Sequence, residues 1–165
     1  MTDMDELADR FLKACHAKKI LTATAESCTG GKIIALLTNI PGSSSMVDRG
    51  FVTYSNEAKM DMLGVRKETL DKHGAVSRET ALEMAVGALR NSRAGITLAV
   101  TGVAGPDGGS AEKPVGLVWF GLALEGEKPV AEKRLFENRG RSYIREETVR
   151  VALEMGIEAL SRKGD

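Results

Sequence analysis

Two periodicities of apolar residues run through this chain and predict a mixture of helices and strands. Helical spacing occurs in a first helix, for which Asp3 and Glu6 form a capping pair, in a helix capped by Ser77, and over residues 141–160. The apolar or inward-facing positions of these three helices are Leu7, Phe11, Ala14 and Cys15; Ala81, Met84, Ala85, Ala88 and Leu89; and Ile144, Thr148, Val151, Ala152, Met155 and Ala159.

The segments between these helices predict strands and shorter helices. Residues 19–24, 47–54 and 95–101 have the composition of strands, and residues 115–124 are apolar on both faces, as in a central strand. Residues 130–136 include three charged side chains, which is typical of an edge strand. Short helices are predicted at residues 32–39, 56–62 and 68–73, each followed closely by glycine or proline.

The order of these elements predicts the fold class. Helices and strands are mixed, but the last strands follow one another without a helix between them. We therefore expect an α/β protein, a three-layer α/β/α sandwich with a mixed, mainly parallel sheet. The absence of a repeat, linker or low-complexity tract predicts a single domain over residues 1–165.

Composition and charge exclude several classes of function. Lysine plus arginine and aspartate plus glutamate both number 23, so the net charge is zero and strong nonspecific binding of nucleic acid is not expected. Cys15 and Cys28 have no metal-type spacing and are typical of reduced thiols. The acidic N-terminus is unlike a signal peptide and no apolar run approaches 18 residues, so we expect a cytoplasmic protein without a membrane segment.

Three glycine-rich polar breaks follow or flank predicted strands, at residues 26–31, 42–45 and 101–110. In open α/β sheets, ligands bind at the carboxyl ends of strands. The turn at residues 24–31 is compatible with an anion site at a helix start or with an ordinary Ser or Thr cap. None of the three breaks contains histidine, and no G-x-S-x-G motif is present, so a Ser-His-Asp triad is poorly supported.

A lysine can activate a serine instead of histidine. Residues 110–113 match S-x-x-K but lie between glycines and a proline, which disfavours the helix that this motif needs. The serines at 43–45 could pair with Lys59, although serines after Pro-Gly usually cap or turn. Arg141 and Arg145 are one helical turn apart, so they either bind an anion together or belong to a solvated helix face.

Several longer motifs resemble those of the CinA C-terminal domain family. The resemblance covers nearly the whole chain, and the motifs follow one another in order at familiar spacing. They are AESCTGG at residues 25–31, PGSS at 41–44, GFVTYSNEAK at 50–59, HGAVS at 73–77, TGVAGPDGGS at 101–110 and KPVG at 113–116.

This resemblance, which is to the stand-alone form of the family, implies a specific activity. The implied reaction is hydrolysis of nicotinamide mononucleotide to nicotinic acid mononucleotide and ammonia, in pyridine nucleotide recycling, by a homodimer or higher homo-oligomer without metal or cofactor. Transferred to this chain, the family pattern makes Ser44 the nucleophile, Lys59 the base and Tyr54 its hydrogen-bonding neighbour. The expected substrate-binding residues are Ser27, Thr29, Gly30, Gly31, Ser43, Thr101, Gly102 and Arg141.

Two further expectations follow from this mechanism. Lys59 must be buried if it is to act as a neutral base near pH 7, and the turn at residues 24–31 holds the nucleotide, with Glu26 bound to a ribose hydroxyl or a basic side chain. Two alternatives stay open: a cysteine amidase that uses Cys28, and a non-catalytic nucleotide-binding or regulatory module. The latter is favoured if Lys59 and the serine loop are far apart.

Overall fold

A computed structural model describes residues 1–162 and contains the predicted mixture of elements. The predicted helices and strands are all present, with ends that differ by a few residues. In chain order the elements are α1 (Asp3–Lys18), β1 (Thr22–Glu26), α2 (Lys32–Thr38), a 3₁₀ turn (Ser43–Ser45), β2 (Val47–Val52), α3 (Asn56–Leu63), α4 (Lys67–His73), α5 (Arg78–Arg90), β3 (Ile96–Gly102), β4 (Leu117–Leu124), β5 (Val130–Leu135) and α6 (Arg141–Arg162).

The strands of residues 1–162 form a five-stranded mixed sheet in the order β2-β1-β3-β4-β5. β1 pairs in parallel with both β2 and β3, whereas β4 is antiparallel to β3 and to β5. Four strands therefore run in one direction, and β4 runs against them. The prediction of a mixed sheet between helical layers is confirmed, as is the edge position of β5.

Helices cover both faces of the sheet. On one face α1, α2 and α6 pack against the larger side chains of β3 and β4, such as Leu98 and Phe120, and form the larger apolar core. On the other face α3, α4 and α5 form a smaller core. Of the parallel strands, β1 and β2 end together, because Glu26 pairs with Val52, whereas β3 continues past Val100 to Gly102. Their carboxyl ends consequently open onto one edge of the sheet.

The sheet face beneath α5 is made of small residues, which the sequence analysis did not identify. Ala25, Ala99 and Ala123 are buried there. A Cβ atom on Gly121 would lie only 2.2 Å from the carbonyl oxygen of Ala81. Because alanine has a small side chain and glycine has none, α5 approaches the sheet closely. The close packing of α5 on this face stabilises the fold.

The start of α1 differs from the prediction. Thr2, not Asp3, is the N-cap: its Oγ1 accepts a hydrogen bond from the backbone N–H of Asp5 at 3.1 Å, and Asp5 in turn accepts from the N–H of Thr2. The spacing of the capping box is the predicted one, displaced by one residue. None of the helices in residues 1–162 is long and apolar enough to cross a membrane.

Candidate active site

A cavity of about 250 Å³ opens at the carboxyl ends of β1, β2 and β3. The three strand ends place polar side chains and loop backbone around one small volume, as expected for an α/β sheet. The lining residues are Ser27, Cys28, Tyr54, Asn56, Lys59, Ala75, Val76, Thr101, Gly102, Ala104 and Arg141.

Lys59 lies at the bottom of this cavity in the first turn of α3. Ser55 caps that helix by accepting the N–H of Ala58 at 3.0 Å. Helical side chains lean toward the helix N-terminus, so the Lys59 amine reaches back to the carbonyl oxygens of Thr53 at 3.1 Å and Tyr54 at 3.2 Å. The side chain is almost fully buried, with 1% of its surface exposed. The predicted burial of Lys59 is confirmed.

Lys59 belongs to none of the ion pairs of residues 1–162, and the charge of Glu57 favours its ammonium form less than burial disfavours it. Burial lowers the pKa of Lys59 below its usual value of 10.5, because water cannot solvate the ammonium form. A lysine in such a site is better suited to accept a proton than a solvated one.

The serine beside Lys59 is Ser27, which directly follows β1. The distance from Lys59 Nζ to Ser27 Oγ is 3.0 Å, and Ser27 is itself buried. The N–H of Ser27 bonds to the carbonyl oxygen of Val100 at 3.1 Å, which ties the residue to β3. Ser27 was predicted as a substrate-binding residue, but its position makes it the hydroxyl that Lys59 can activate.

The structure does not bring Ser44 to Lys59, and this corrects the predicted pairing. Ser44 is exposed in the 3₁₀ turn before β2, whereas Lys59 follows β2. The six residues of β2 separate the two sites by roughly 20 Å, at about 3.3 Å per residue. Ser43, predicted to bind substrate, lies in the same turn and faces α1 near Lys13 and His16 rather than the Lys59 cavity.

Glu26 occupies the helix start that the sequence analysis proposed as an anion site. Its carboxylate is fully buried and accepts the backbone N–H groups of Ile33 at 2.9 Å and Ile34 at 3.0 Å. It also accepts the hydroxyls of Thr24 and Thr29. The predicted partner of Glu26, a ribose hydroxyl or a basic side chain, is therefore wrong: the carboxylate caps α2 itself.

This arrangement places the other turn residues outside the cavity. Thr29 is fully buried and its hydroxyl bonds to Glu26 at 2.6 Å, so it holds the turn instead of lining the cavity. Gly30 and Gly31 adopt φ values of +59° and +104°, a conformation that side chains disfavour, and they let the chain enter α2. The predicted nucleotide cradle is thus a turn whose polar groups bond to the protein itself, and it carries Ser27 at its cavity end.

We predict that replacing Glu26 with Gln destabilises the protein. The glutamine NH₂ group cannot accept a hydrogen bond, so one of the buried donors loses its partner, and we expect the free energy of unfolding to fall by about 2 kcal/mol. Urea unfolding measures this change. Glu158→Gln, in an exposed ion pair with Arg162, is the matched control, and its expected effect is under about 0.5 kcal/mol. Equal stabilities of the two variants would contradict the buried capping role.

Arg141, Tyr54 and Thr101 were also predicted site residues, and all three line the cavity. Arg141 begins α6 and donates to the carbonyl oxygen of Gly105 at 2.8 Å and to the hydroxyl of Tyr54 at 3.2 Å. Tyr54 is 62% exposed, so the pair lies at the mouth of the cavity. Thr101 is buried and donates to the carbonyl oxygen of Ala75 at 2.9 Å. Gly102, which was also predicted to bind substrate, lines the cavity as well.

Cys28 lines the cavity but has the wrong electrostatics for a thiolate. Burial raises the pKa of its thiol to about 12, opposite to the lowering that a cysteine amidase would need. Within residues 1–162, no group of three or more His, Cys, Asp or Glu side chains is arranged to bind a metal ion.

Some lining residues were not predicted from the sequence, namely Asn56, Ala75, Val76 and Ala104. Ala75 and Val76 come from the connection between α4 and α5, whose position depends on packing. The pairing of Ser27 with Lys59 was foreseeable, because Ser27 follows a strand, Lys59 also follows one, and parallel strand ends meet at one edge. The serines at 43–45 precede a strand and therefore lie at the opposite edge.

Comparisons with known proteins agree with this fold and cavity. The model of the CinA C-terminal domain matches residues 4–160. The chain belongs to the CinA C-terminal domain family. The nicotinamide-nucleotide amidohydrolase PncC of Escherichia coli (strain K12) is 46% identical over 156 residues, which cover 93% of this chain and 94% of that protein.

Solved structures of the family have the same architecture. The competence/damage inducible protein CihA from Agrobacterium tumefaciens is 53% identical, with a TM-score of 0.93 and coverage of 98% of both chains. The competence damage-inducible protein A (ComA) from Klebsiella pneumoniae is 36% identical, again with a TM-score of 0.93, over 99% of this chain and 100% of that one. The mixed α/β sheet described above is therefore the family's fold.

Proposed function

We propose that this protein is a nicotinamide-nucleotide amidohydrolase that converts nicotinamide mononucleotide to nicotinic acid mononucleotide and ammonia, with Ser27 as nucleophile and Lys59 as base. The observation that carries the proposal is the 3.0 Å contact between Ser27 Oγ and the buried amine of Lys59. The similarity to PncC along nearly the full length of both chains supports the choice of substrate.

Lys59 Nζ donates to Ser27 Oγ at 3.0 Å and to the carbonyl oxygens of Thr53 and Tyr54 at 3.1 and 3.2 Å. A neutral amine has two N–H donors and one lone pair. In that form the two carbonyl oxygens keep both donors, and the lone pair faces the Ser27 hydroxyl proton. The carbonyl oxygen of Ser55, at 3.5 Å, is a weaker partner. Lys59 can therefore take the serine proton without breaking its other two hydrogen bonds.

The reaction proceeds in two halves. Ser27 Oγ attacks the carboxamide carbon while its proton passes to Lys59 Nζ. The ammonium form of Lys59 then protonates the departing nitrogen, which leaves as ammonia, and an ester to Ser27 remains. Water attacks this ester, Lys59 accepts the water proton and returns it to Ser27 Oγ, and the free carboxylic acid is released.

The remaining cavity residues are assigned to substrate binding. The Arg141 guanidinium uses two of its five donors on Gly105 and Tyr54, so the others are free to bind the substrate phosphate at the cavity mouth. Tyr54 orients Arg141, and Thr101 and Gly102 lie against the pyridine ring. The positive pyridinium near Lys59 further favours the neutral amine. We assign the binding of the developing oxyanion to the backbone N–H of Cys28, the residue directly after the nucleophile.

An assay of ammonia released from nicotinamide mononucleotide, with the nucleotide product identified by mass spectrometry, tests the proposal. We expect one ammonia per nicotinic acid mononucleotide formed. Binding of the nucleotide without turnover would overturn the enzymatic proposal. It would favour a non-catalytic nucleotide-binding module, the alternative to which the separation of the serine loop from Lys59 points. The serine/lysine mechanism, the place in pyridine nucleotide recycling, the cytoplasmic location and the homo-oligomer are parts of this proposal.

We predict that Cys28→Ala retains most of the activity. Its thiol is held protonated by burial, with a pKa of about 12, and is not a competent nucleophile near pH 7. The measurement is kcat for ammonia release, expected within about threefold of the unmodified protein because only cavity packing changes. A loss as large as that of a nucleophile variant would favour the cysteine amidase.

A further inference from the structure

The turn that carries Ser27 is held from outside by one side chain of α6. Arg145 donates from Nε to the carbonyl oxygen of Cys28 at 3.1 Å and from its terminal nitrogen to the carbonyl oxygen of Thr29 at 3.0 Å. The two residues lie more than a hundred positions earlier in the chain. Arg145 therefore fixes two successive peptide groups, Cys28–Thr29 and Thr29–Gly30, which begin one residue after Ser27.

Arg145 forms no ion pair with the described residues. Among the described residues no carboxylate lies within 4 Å of its guanidinium, whereas Arg150, one to two turns later on the same helix, pairs with Glu147 at 3.2 Å. Arg145 is also half-buried. A guanidinium that is partly removed from water needs hydrogen bonds to replace those it made with water. The carbonyl oxygens of Cys28 and Thr29 accept these hydrogen bonds.

Proton transfer from Ser27 to Lys59 is sensitive to small displacements of the turn that carries Ser27. Ser27 Oγ must stay near 3.0 Å from Lys59 Nζ to transfer its proton. Glu26 holds the α2 side of the turn, and the N–H of Ser27 holds its β3 side. The Cys28–Thr29 segment between them is fixed by Arg145, whose rigid fork sets both carbonyl directions together.

Resting on the proposed function, we propose that Arg145 is a positioning residue for the nucleophile: it orients the Cys28 and Thr29 peptide groups and thereby keeps Ser27 Oγ in contact with Lys59. Arg145 touches no substrate in this arrangement. It differs in this respect from Arg141, one helical turn earlier, which points to the cavity mouth. The two arginines do not form one anion site, because each is bound to a different loop.

Three variants test this inference. Arg145→Met keeps an apolar stem but removes the fork, and Arg145→Lys keeps the charge and one donor site. Arg150→Met is the matched control on the same helix. For Arg145→Met we expect kcat to fall about 100-fold, as for a displacement near 1 Å, with KM nearly unchanged. Arg145→Lys should recover part of the loss and Arg150→Met should match the unmodified protein.

The pH profile separates positioning from a loss of folded protein. If the turn relaxes and water reaches Lys59, the ammonium form of Lys59 is favoured and its pKa rises. The acidic limb of kcat against pH should then move to higher pH in Arg145→Met. A purely structural role would lower the active fraction and the melting temperature without moving this limb, and that result would overturn the inference.

A measurement that needs no substrate tests the role of Arg145 separately from the proposed function. The rate at which a fluorophosphonate labels Ser27, followed by peptide mass spectrometry, reports activation of the hydroxyl whatever amide is the true substrate. We expect labelling to slow about 100-fold in Arg145→Met. Labelling of Ser27 without ammonia release would overturn the substrate but leave the positioning role intact. Equal labelling rates in the Met variant and the unmodified protein, or no labelling of Ser27, would overturn the positioning role.

Discussion

Replacing Ser27 with Ala should reduce ammonia release from nicotinamide mononucleotide by at least about 10³-fold, whereas replacing Ser44 with Ala should change it less than twofold. The large effect is expected because Ser27 is the hydroxyl 3.0 Å from the Lys59 amine, and none of the other described residues that line the cavity is a serine. Ser44 is exposed before β2 and makes no contact with the cavity. The measurement is kcat for both variants under identical conditions.

The affinity for nicotinamide mononucleotide distinguishes a missing nucleophile from a misfolded turn. Ser27→Ala removes one oxygen atom and leaves Arg141, Thr101 and Tyr54 in place, so the affinity for nicotinamide mononucleotide should stay within a few-fold by calorimetry. Loss of both binding and turnover would point to a misfolded turn rather than to a missing nucleophile. Loss of turnover in Ser44→Ala with full activity in Ser27→Ala would refute the assignment of the nucleophile.

The second large effect is expected at Lys59. Lys59→Met fills a similar volume without a base, and we expect kcat to fall by about 10³-fold, within the range of a general acid–base contribution. Lys59→Arg is the informative comparison, because a guanidinium keeps the positive charge but cannot lose its proton near neutral pH. Activity in Lys59→Arg would show that a cation suffices and would contradict the role of base.

The pH dependence of activity follows from the same residue. Since burial lowers the pKa of Lys59, the neutral form becomes available below pH 10.5, and kcat/KM should rise with pH through the lowered pKa. A profile that is flat on its acidic side down to pH 5 would exclude a lysine base.

Stability should also depend on pH through Lys59. In the unfolded chain the amine titrates near 10.5, whereas in the folded protein it loses its proton at lower pH. Between these two pKa values the unfolded chain binds more protons, so the free energy of unfolding rises with pH and the gain is complete above 10.5. The same stability is lost as pH falls through the folded pKa. Lys59→Met should remove this slope in urea titrations between pH 7 and 10.5.

The fold was largely predictable from the chain because its helices and strands bury their apolar residues in regular patterns. Leu7, Phe11 and Cys15 are buried as their spacing indicated, and the exposed, charged strand β5 lies at the sheet edge. The small-residue face beneath α5 was not predictable, since an alanine or glycine in a strand gives no sign of which helix approaches it.

The site was predictable in part, and the errors have physical causes. Lys59, Tyr54, Thr101 and Arg141 line the cavity as expected, because each follows or faces a strand end. Ser44 was chosen from the serine run at residues 43–45 and from motif similarity, but β2 lies between that run and Lys59 and keeps the two apart. Glu26 was misread for a different reason: a buried carboxylate that caps the following helix resembles, in sequence, a polar residue that faces a ligand.

The amino-acid sequence by itself determined the elements of this protein, the family and the chemical types available at the site, because periodicity, capping and motif content are local properties. The tertiary structure decided which groups meet. The neighbouring carboxyl ends of β1 and β2 bring Ser27 to Lys59, and α6 brings Arg145 to the turn from more than a hundred residues away. The first contact follows only when the order and direction of the strands are known. The second depends on helix packing, which no local pattern encodes.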